Sequence, residues 1–306
     1  MNTSFGECLR GVLAGDLQRR IIARRALQLC ALMVLAATLA ACTATRLAYN
    51  QAPSLSYWWI DRYVDLDDTQ TAKTREDLNA FFQWHRSQEL PAYASLLRQW
   101  QAMAVDNLSP AQACVQFEDI RQRLDRAAAE TVEPFARLAL QLSPAQVENL
   151  KKQQAESNED FEKDFLRGSP EQRLNKRLDK AIDRSESFYG KLSAAQRELL
   201  RGLLQKSPFD PQRTQSERLR RQADLLQTVR DAQATPSKAE QLVREHIARI
   251  RQSPAPGYDA YNQELVRQGC AQFATLHNST TAEQRASAVR ALKGYEDDLR
   301  TLSAQR

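Results

Sequence analysis

One short pattern recurs along the chain and limits what it can fold into. Leu66-Asp-Asp-Thr-Gln70, Leu108-Ser-Pro-Ala-Gln112, Leu142-Ser-Pro-Ala-Gln146 and Leu192-Ser-Ala-Ala-Gln196 share one logic, and Thr280-Thr-Ala-Glu-Gln284 is a weaker fifth copy. The Ser or Asp oxygen accepts an orphan backbone N–H at a helix start, and Gln three residues later reaches back to the cap. Proline at the first helical position loses no hydrogen bond, and the leucine ahead of the cap can form a hydrophobic staple. The copies start 42, 34, 50 and 88 residues apart, which excludes a solenoid of fixed repeat. They are punctuation for helices and do not form a ligand motif.

Apolar residues recur at helical spacing after these starts, as in Phe117, Ile120, Leu124; Leu174, Leu178, Ile182; Leu219, Ala223, Leu226; and Val289, Leu292, Tyr295, Leu299, Leu302. Breaks fall at Pro91, Pro170, Pro208 to Pro211, Pro236 and Pro254 to Gly257, and Pro134 is expected to kink the helix begun near Pro110. Lys151 to Lys163 is mostly polar, so its helix should expose much of its girth. Only nine glycines occur in 306 residues, and no alternating β-branched run is bounded by turns. The expectation is an all-α, multi-helix bundle of packed helical hairpins with about nine or ten helices.

The N-terminal residues read differently. Arg19, Arg20, Arg24 and Arg25 precede an apolar run, Ala26 to Leu39, that is shorter than the ~20 residues needed to span a bilayer. It closes with Leu39-Ala40-Ala41-Cys42, which resembles the bacterial lipobox. The resemblance implies a signal peptide over 1–41, cleavage between Ala41 and Cys42, export by the general secretory route, and acyl chains (palmitate among them) on Cys42 as a membrane anchor. The alternative is an uncleaved signal anchor with an incidental cysteine. In lipoproteins of this type an aspartate after the cysteine marks retention at the inner membrane. Thr43 there implies sorting to the outer membrane, on its inner leaflet and facing the periplasm, with a lipid anchor in the inner membrane as the alternative.

Removing 1–41 takes away five arginines and two acids, leaving 38 basic and 36 acidic side chains out of the chain's 43 and 38. A net of +2 gives no basic footprint for nucleic acid. Asp65-Leu-Asp-Asp68 lacks the glycine and closing glutamate of a calcium loop and reads as helix-start capping. His85, His246 and His277 show no zinc spacing, and there is no phosphate loop or nucleophile elbow. No metal, cofactor or catalytic residue is therefore expected, and the chain is read as not an enzyme.

Arg46-Leu-Ala-Tyr-Asn50, Tyr57-Trp-Trp-Ile-Asp-Arg-Tyr63, Val64-Asp-Leu-Asp-Asp68, Trp84-His-Arg86 and Glu89-Leu-Pro-Ala-Tyr93 together resemble a family of Gram-negative envelope lipoproteins known only as a domain of unknown function. The likeness is strongest over about 42–100. It implies an envelope location and a helical fold, and no activity or site residues. The Leu-Ser-x-x-Gln starts also look locally like those of small periplasmic chaperones of the Spy type. Residues 42–65 are read as an anchor-proximal aromatic segment and 66–306 as a single helical domain. The rings of Tyr57, Trp58, Trp59 and Tyr63 could rest at the membrane interface, form the core where the first helix docks, or line a binding groove.

The functions compatible with this reading are a tethered binding or scaffold protein with an envelope protein partner, a holdase-like chaperone, and an unrecognised enzyme. Cys114 and Cys270 are the remaining cysteines of the mature part. Each is followed three residues on by Phe117 or Phe273 and is expected to point inward. Either they form one disulfide between the third and the penultimate helix, closing a loop of about 157 residues, or they are two separate buried thiols.

Overall fold

The computed structural model describes residues 44–305, so Ala41, Cys42, Thr43 and the leader lie outside the described residues. Residues 44–50 are helical. From Gln51 onward the chain forms one compact unit. It contains α1 (Ala52–Val64), α2 (Asp68–Trp84), α3 (Leu90–Met103), α4 (Pro110–Glu130), α5 (Val132–Gln141) and α6 (Pro144–Phe165). These are followed by α7 (Pro170–Tyr189), α8 (Ala194–Gln205), α9 (Pro211–Ala234), α10 (Ala239–Arg251), α11 (Tyr258–Asn278) and α12 (Ala282–Ala304). No strand occurs among the described residues.

All five capping patterns start helices with both halves of the box formed, on Asp67, Ser109, Ser143, Ser193 and Thr281. A sixth box, Ser169 with Gln172, opens α7, where the sequence reading saw only a break at Pro170. The leucines ahead of three caps, Leu108, Leu142 and Leu192, are buried, as the staple requires. In Asp65-Leu-Asp-Asp68, Asp65 closes α1 in the left-handed conformation (φ 60°), Asp67 caps α2 and Asp68 lies in its first turn.

The count of nine or ten helices is corrected to twelve between Ala52 and Ala304. Pro134 does more than kink a helix. Its ring excludes the carbonyl of residue 130 and it offers no N–H, so α4 ends at Glu130 and α5 restarts at Val132. Pro91 does less than break one. Between α2 and α3 the chain passes through a π-helical turn, His85–Glu89, closed by the Leu90 N–H on the His85 carbonyl, and continues.

The principal helix contacts pair α12 with α3 and α7, α11 with α4, α10 with α9 and α5, and α1 with α2 and α6. Three apolar clusters result. Leu178, Ile182, Leu192, Leu200, Leu276 and Ala288 join α7, α8, α11 and α12. Val132, Ala136, Ala232 and Val243 join α5, α9 and α10. Val64, Ala139, Leu142 and Val229 join α1, α5 and α9. The polar stretch of α6 meets α9 by polar contacts, with Asn158 bonded to Gln222 at 2.8 Å. That polar seam leaves room above the second and third clusters.

Candidate functional site

That room is a cavity of about 750 Å³. Helix α1 contributes Trp59, Ile60, Tyr63 and Val64, and α2 contributes Asp77, Leu78, Phe81 and Phe82. Phe135 and Leu138 come from α5, Leu150 and Phe161 from α6, and Leu225 and Val229 from α9. His246 and Ile250 on α10 and Tyr258 complete the wall with the charged start of α9. The cavity is therefore mostly ring and aliphatic surface with a few polar groups, the composition typical of small-molecule sites, and its volume falls in their range of roughly 300–1,000 Å³.

The polar groups gather on α9. Glu217 is 3% exposed and accepts from Arg220 (2.8 and 2.9 Å), Arg221 (2.7 Å) and the Ser253 hydroxyl (2.7 Å). Burial pushes its carboxyl up, but those hydrogen bonds outweigh burial and hold it at about 2. His246 donates from Nδ1 to Asp224 Oδ2 at 2.7 Å, and Arg249 holds the other carboxylate oxygen at 2.8 Å. Burial pushes His246 below its ordinary value against the pull of Asp224, so the ring is neutral at pH 7. Arg218 donates to Asn158 Oδ1 (2.7 Å) and Ser157 Oγ (2.5 Å), both neutral, and forms no ion pair among the described residues. Asp77, by contrast, is held by Arg137 at 2.6 Å and Lys73 at 3.1 Å.

The aromatic segment divides. Tyr57 is half-buried, with Oη 3.2 Å from Thr71 Oγ1 and the Arg75 guanidinium 3.7 Å above its ring. Tyr63 is also half-buried and packs its ring 4.6 Å from that of Trp59. Trp58 and Trp59 are 73% and 61% exposed, so the reading of these rings as core is corrected for both tryptophans. Helix α1 docks through Ile60, Tyr63 and Val64, which leaves Leu55, Trp58 and Trp59 together on its outer stripe. Trp59 is at once exposed and part of the cavity wall, which places it at the rim.

Cys114 on α4 and Cys270 on α11 are joined as a disulfide, with Cα atoms 5.3 Å apart. The phenylalanines three residues on do not mark an inward face, contrary to expectation: Phe117 and Phe273 are 47% and 49% exposed. Each cysteine faces the other helix, while the residue three positions on rotates past the contact.

The cavity's phenylalanines and Tyr258 carry no mark in the sequence, and neither does the charged start of α9. Glu217-Arg-Leu-Arg-Arg221 reads as a solvated helical face, and only the packing of α6 and α10 against it reveals a wall. Among the described residues no group of three or more His, Cys, Asp or Glu is placed to hold a metal, and no helix is long and apolar enough to cross a membrane.

A family model described as a family of unknown function (DUF6279) matches residues 62–247. That span includes most of the cavity wall, from Tyr63 to His246, and leaves Cys42 and the two exposed tryptophans outside it. Comparison with curated proteins and with solved structures gave no match. Since the match covers more than half of the 306 residues, the chain belongs to this family of unknown function, DUF6279.

Proposed function

We propose that the mature protein is a lipid-anchored envelope lipoprotein, held by acyl chains on Cys42 at the periplasmic face of the outer membrane, and that its role is to bind an apolar ligand. The cavity between α1, α2, α5, α6, α9 and α10 carries this reading. A sizeable apolar hollow lined by rings is costly to keep filled with water and favourable to fill with hydrocarbon. The anchor rests on the lipobox pattern at Leu39 to Cys42. The outer stripe of α1 follows it closely in sequence, and exposed amphipathic rings suit the headgroup region of a bilayer. An envelope protein seated on the same stripe is the second reading.

Two measurements test the proposal. Cells fed radiolabelled palmitate should label the protein, and Cys42→Ser should lose the label and accumulate as a larger precursor. Labelling that survived the substitution would remove the anchor. The neutral probe N-phenyl-1-naphthylamine should brighten on the purified protein, and Leu225→Trp, which fills the cavity, should abolish that signal. No brightening above a protein control would remove the binding role.

A further inference from the structure

The cavity wall is not uniformly apolar: Arg218 and Arg221 line it together with the carboxylates of Glu217, Asp77 and Glu130. Outside the lining itself, Arg220 of α9 pairs with Glu217 and Arg249 of α10 pairs with Asp224. Glu217 is shared by Arg220 and Arg221, and Asp224 is taken up by Arg249 and by His246, whose ring is held neutral by burial. Arg218 is left with the neutral side chains of Asn158 and Ser157 and, 5.9 Å away, the Phe161 ring. Both Arg218 and Phe161 line the cavity. A half-buried guanidinium with only neutral partners has unspent capacity for a planar or tetrahedral anion, which it can grip in a charge-assisted hydrogen bond. The acids that could compete are accounted for. Asp77 is held by Arg137 and Lys73, and Glu130 is exposed.

We infer that the cavity takes the hydrocarbon chain of a single-chain anionic amphiphile, with its carboxylate or phosphate head on Arg218 and its chain among Phe81, Phe135, Leu138 and Phe161. Trp59 at the rim marks where such a molecule enters. This deepens the binding role proposed above and depends on it. A neutral apolar ligand would leave the Arg218 cation unmatched. A two-chain lipid would have to fit a second hydrocarbon tail into the same 750 Å³.

Photo-crosslinking of the full-length protein in its own membranes separates the possibilities. Three probes share one diazirine-bearing hexadecyl chain and end in a carboxylate, a phosphate or a hydroxyl. Peptides from α2, α6 and α9 are then scored by mass spectrometry. An anionic probe should label these helices about tenfold more than the alcohol, the ratio expected for one charge-assisted hydrogen bond. Whichever of carboxylate or phosphate labels more strongly identifies the head. Arg218→Gln should reduce the anionic probe to the alcohol's level, and an unchanged melting temperature of the variant shows that it is folded. Equal labelling by all three probes, or an anionic preference that survives Arg218→Gln, would overturn the head-group assignment and leave the binding role standing. Failure of every probe to label these helices would overturn both.

Discussion

Gln70 and Gln146 hydrogen-bond to each other through their side-chain amides, at 2.6 Å from Gln146 to Gln70 and 3.3 Å in return. Each is also the third residue of its own capping box, accepting from the backbone N–H of Asp67 or Ser143. Each further donates to a carbonyl just ahead of the other's cap, Gln70 to Gln141 and Gln146 to Asp65. Gln196 and Gln284 repeat the arrangement, bonded to each other at 2.8 and 3.0 Å and to the carbonyls of Ser279 and Lys191. The starts of α2 and α6, and those of α8 and α12, are thus clamped as two reciprocal pairs. The same pattern at Ser109 has no such partner, and Gln112 is exposed.

These differences should be measurable in urea. Gln146→Ala strands the buried Gln70 amide and removes the donor to the Asp65 carbonyl, at a cost of about 2–3 kcal/mol. Gln112→Ala removes only half of an exposed capping box and should cost about 1 kcal/mol or less. Gln70→Ala combined with Gln146→Ala should fall well short of the sum of the single effects. Equal costs for Gln146 and Gln112 would mean that the clamp contributes nothing.

The disulfide ties α4 to α11 across a separation of 156 residues. Losing a cross-link over so long a loop should lower stability by about 2–5 kcal/mol. Replacing both cysteines by serine should therefore depress the melting temperature while leaving the helical circular dichroism signal intact. In the unreduced, denatured protein Cys114 and Cys270 should resist alkylation, and modification of both would contradict the bond.

Acid should weaken the fold in two stages. Burial pushes His85, His246 and His277 below the ordinary 6.5, so beneath that pH the unfolded chain binds more protons than the folded one. Their contribution is complete above pH 6.5 and is lost as pH falls from there through the folded values. Glu217, held at about 2 against an ordinary 4.5, contributes above 4.5 and loses that contribution only as pH falls toward 2. The melting temperature should therefore drop between pH 7 and 5, before the carboxylates titrate. His277 Nε2 donates to the Asp106 carbonyl (2.8 Å), and the Nδ1 of the neutral ring accepts from the Tyr189 hydroxyl (2.9 Å). His277→Gln should flatten the slope in that interval, and an unchanged slope would exclude His277 as a source.

Glu89 is fully buried in the π-helical turn, with Arg126 at 3.4 Å and Arg123 at 3.6 Å, and neither of its carboxylate oxygens has a hydrogen-bond partner. Two contacts beyond hydrogen-bond length offset little of the desolvation of a buried carboxylate. Glu89→Met keeps the volume, and both arginines can turn to solvent, so stability should be unchanged or higher. Glu89→Ala, which leaves a cavity, should cost about 2–4 kcal/mol. A large loss in the Met variant would show the ion pair to be strongly stabilising.

The helix starts were legible in the sequence because a cap is closed within a few residues. Ser143 and Gln146 carry all the atoms their box needs, so five starts and the all-helical class followed from spacing alone. The proline effects were only partly legible. Pro134 and Pro91 each disrupt the preceding turn, but whether the chain restarts as α5 or absorbs the defect in a π turn depends on what packs there. The two tryptophans show the same limit: the spacing of the rings left membrane interface, core and groove open, and the face of α1 that meets α2 and α6 put both outside the core.

What the tertiary structure alone decided is everything that joins distant segments. A glutamine placed to cap its own helix gives no sign that its amide will reach another glutamine on a helix far along the chain. The cavity is a gap left by the packing of six helices, and no local pattern encodes a gap. Its chemistry depends on Arg218 finding only neutral partners on α6 while Glu217 and Asp224 are satisfied by other arginines. Hydrogen bonds within a turn are determined by neighbours in sequence, whereas burial, desolvation and ion pairing are determined by neighbours in space, and those exist only once the chain has packed.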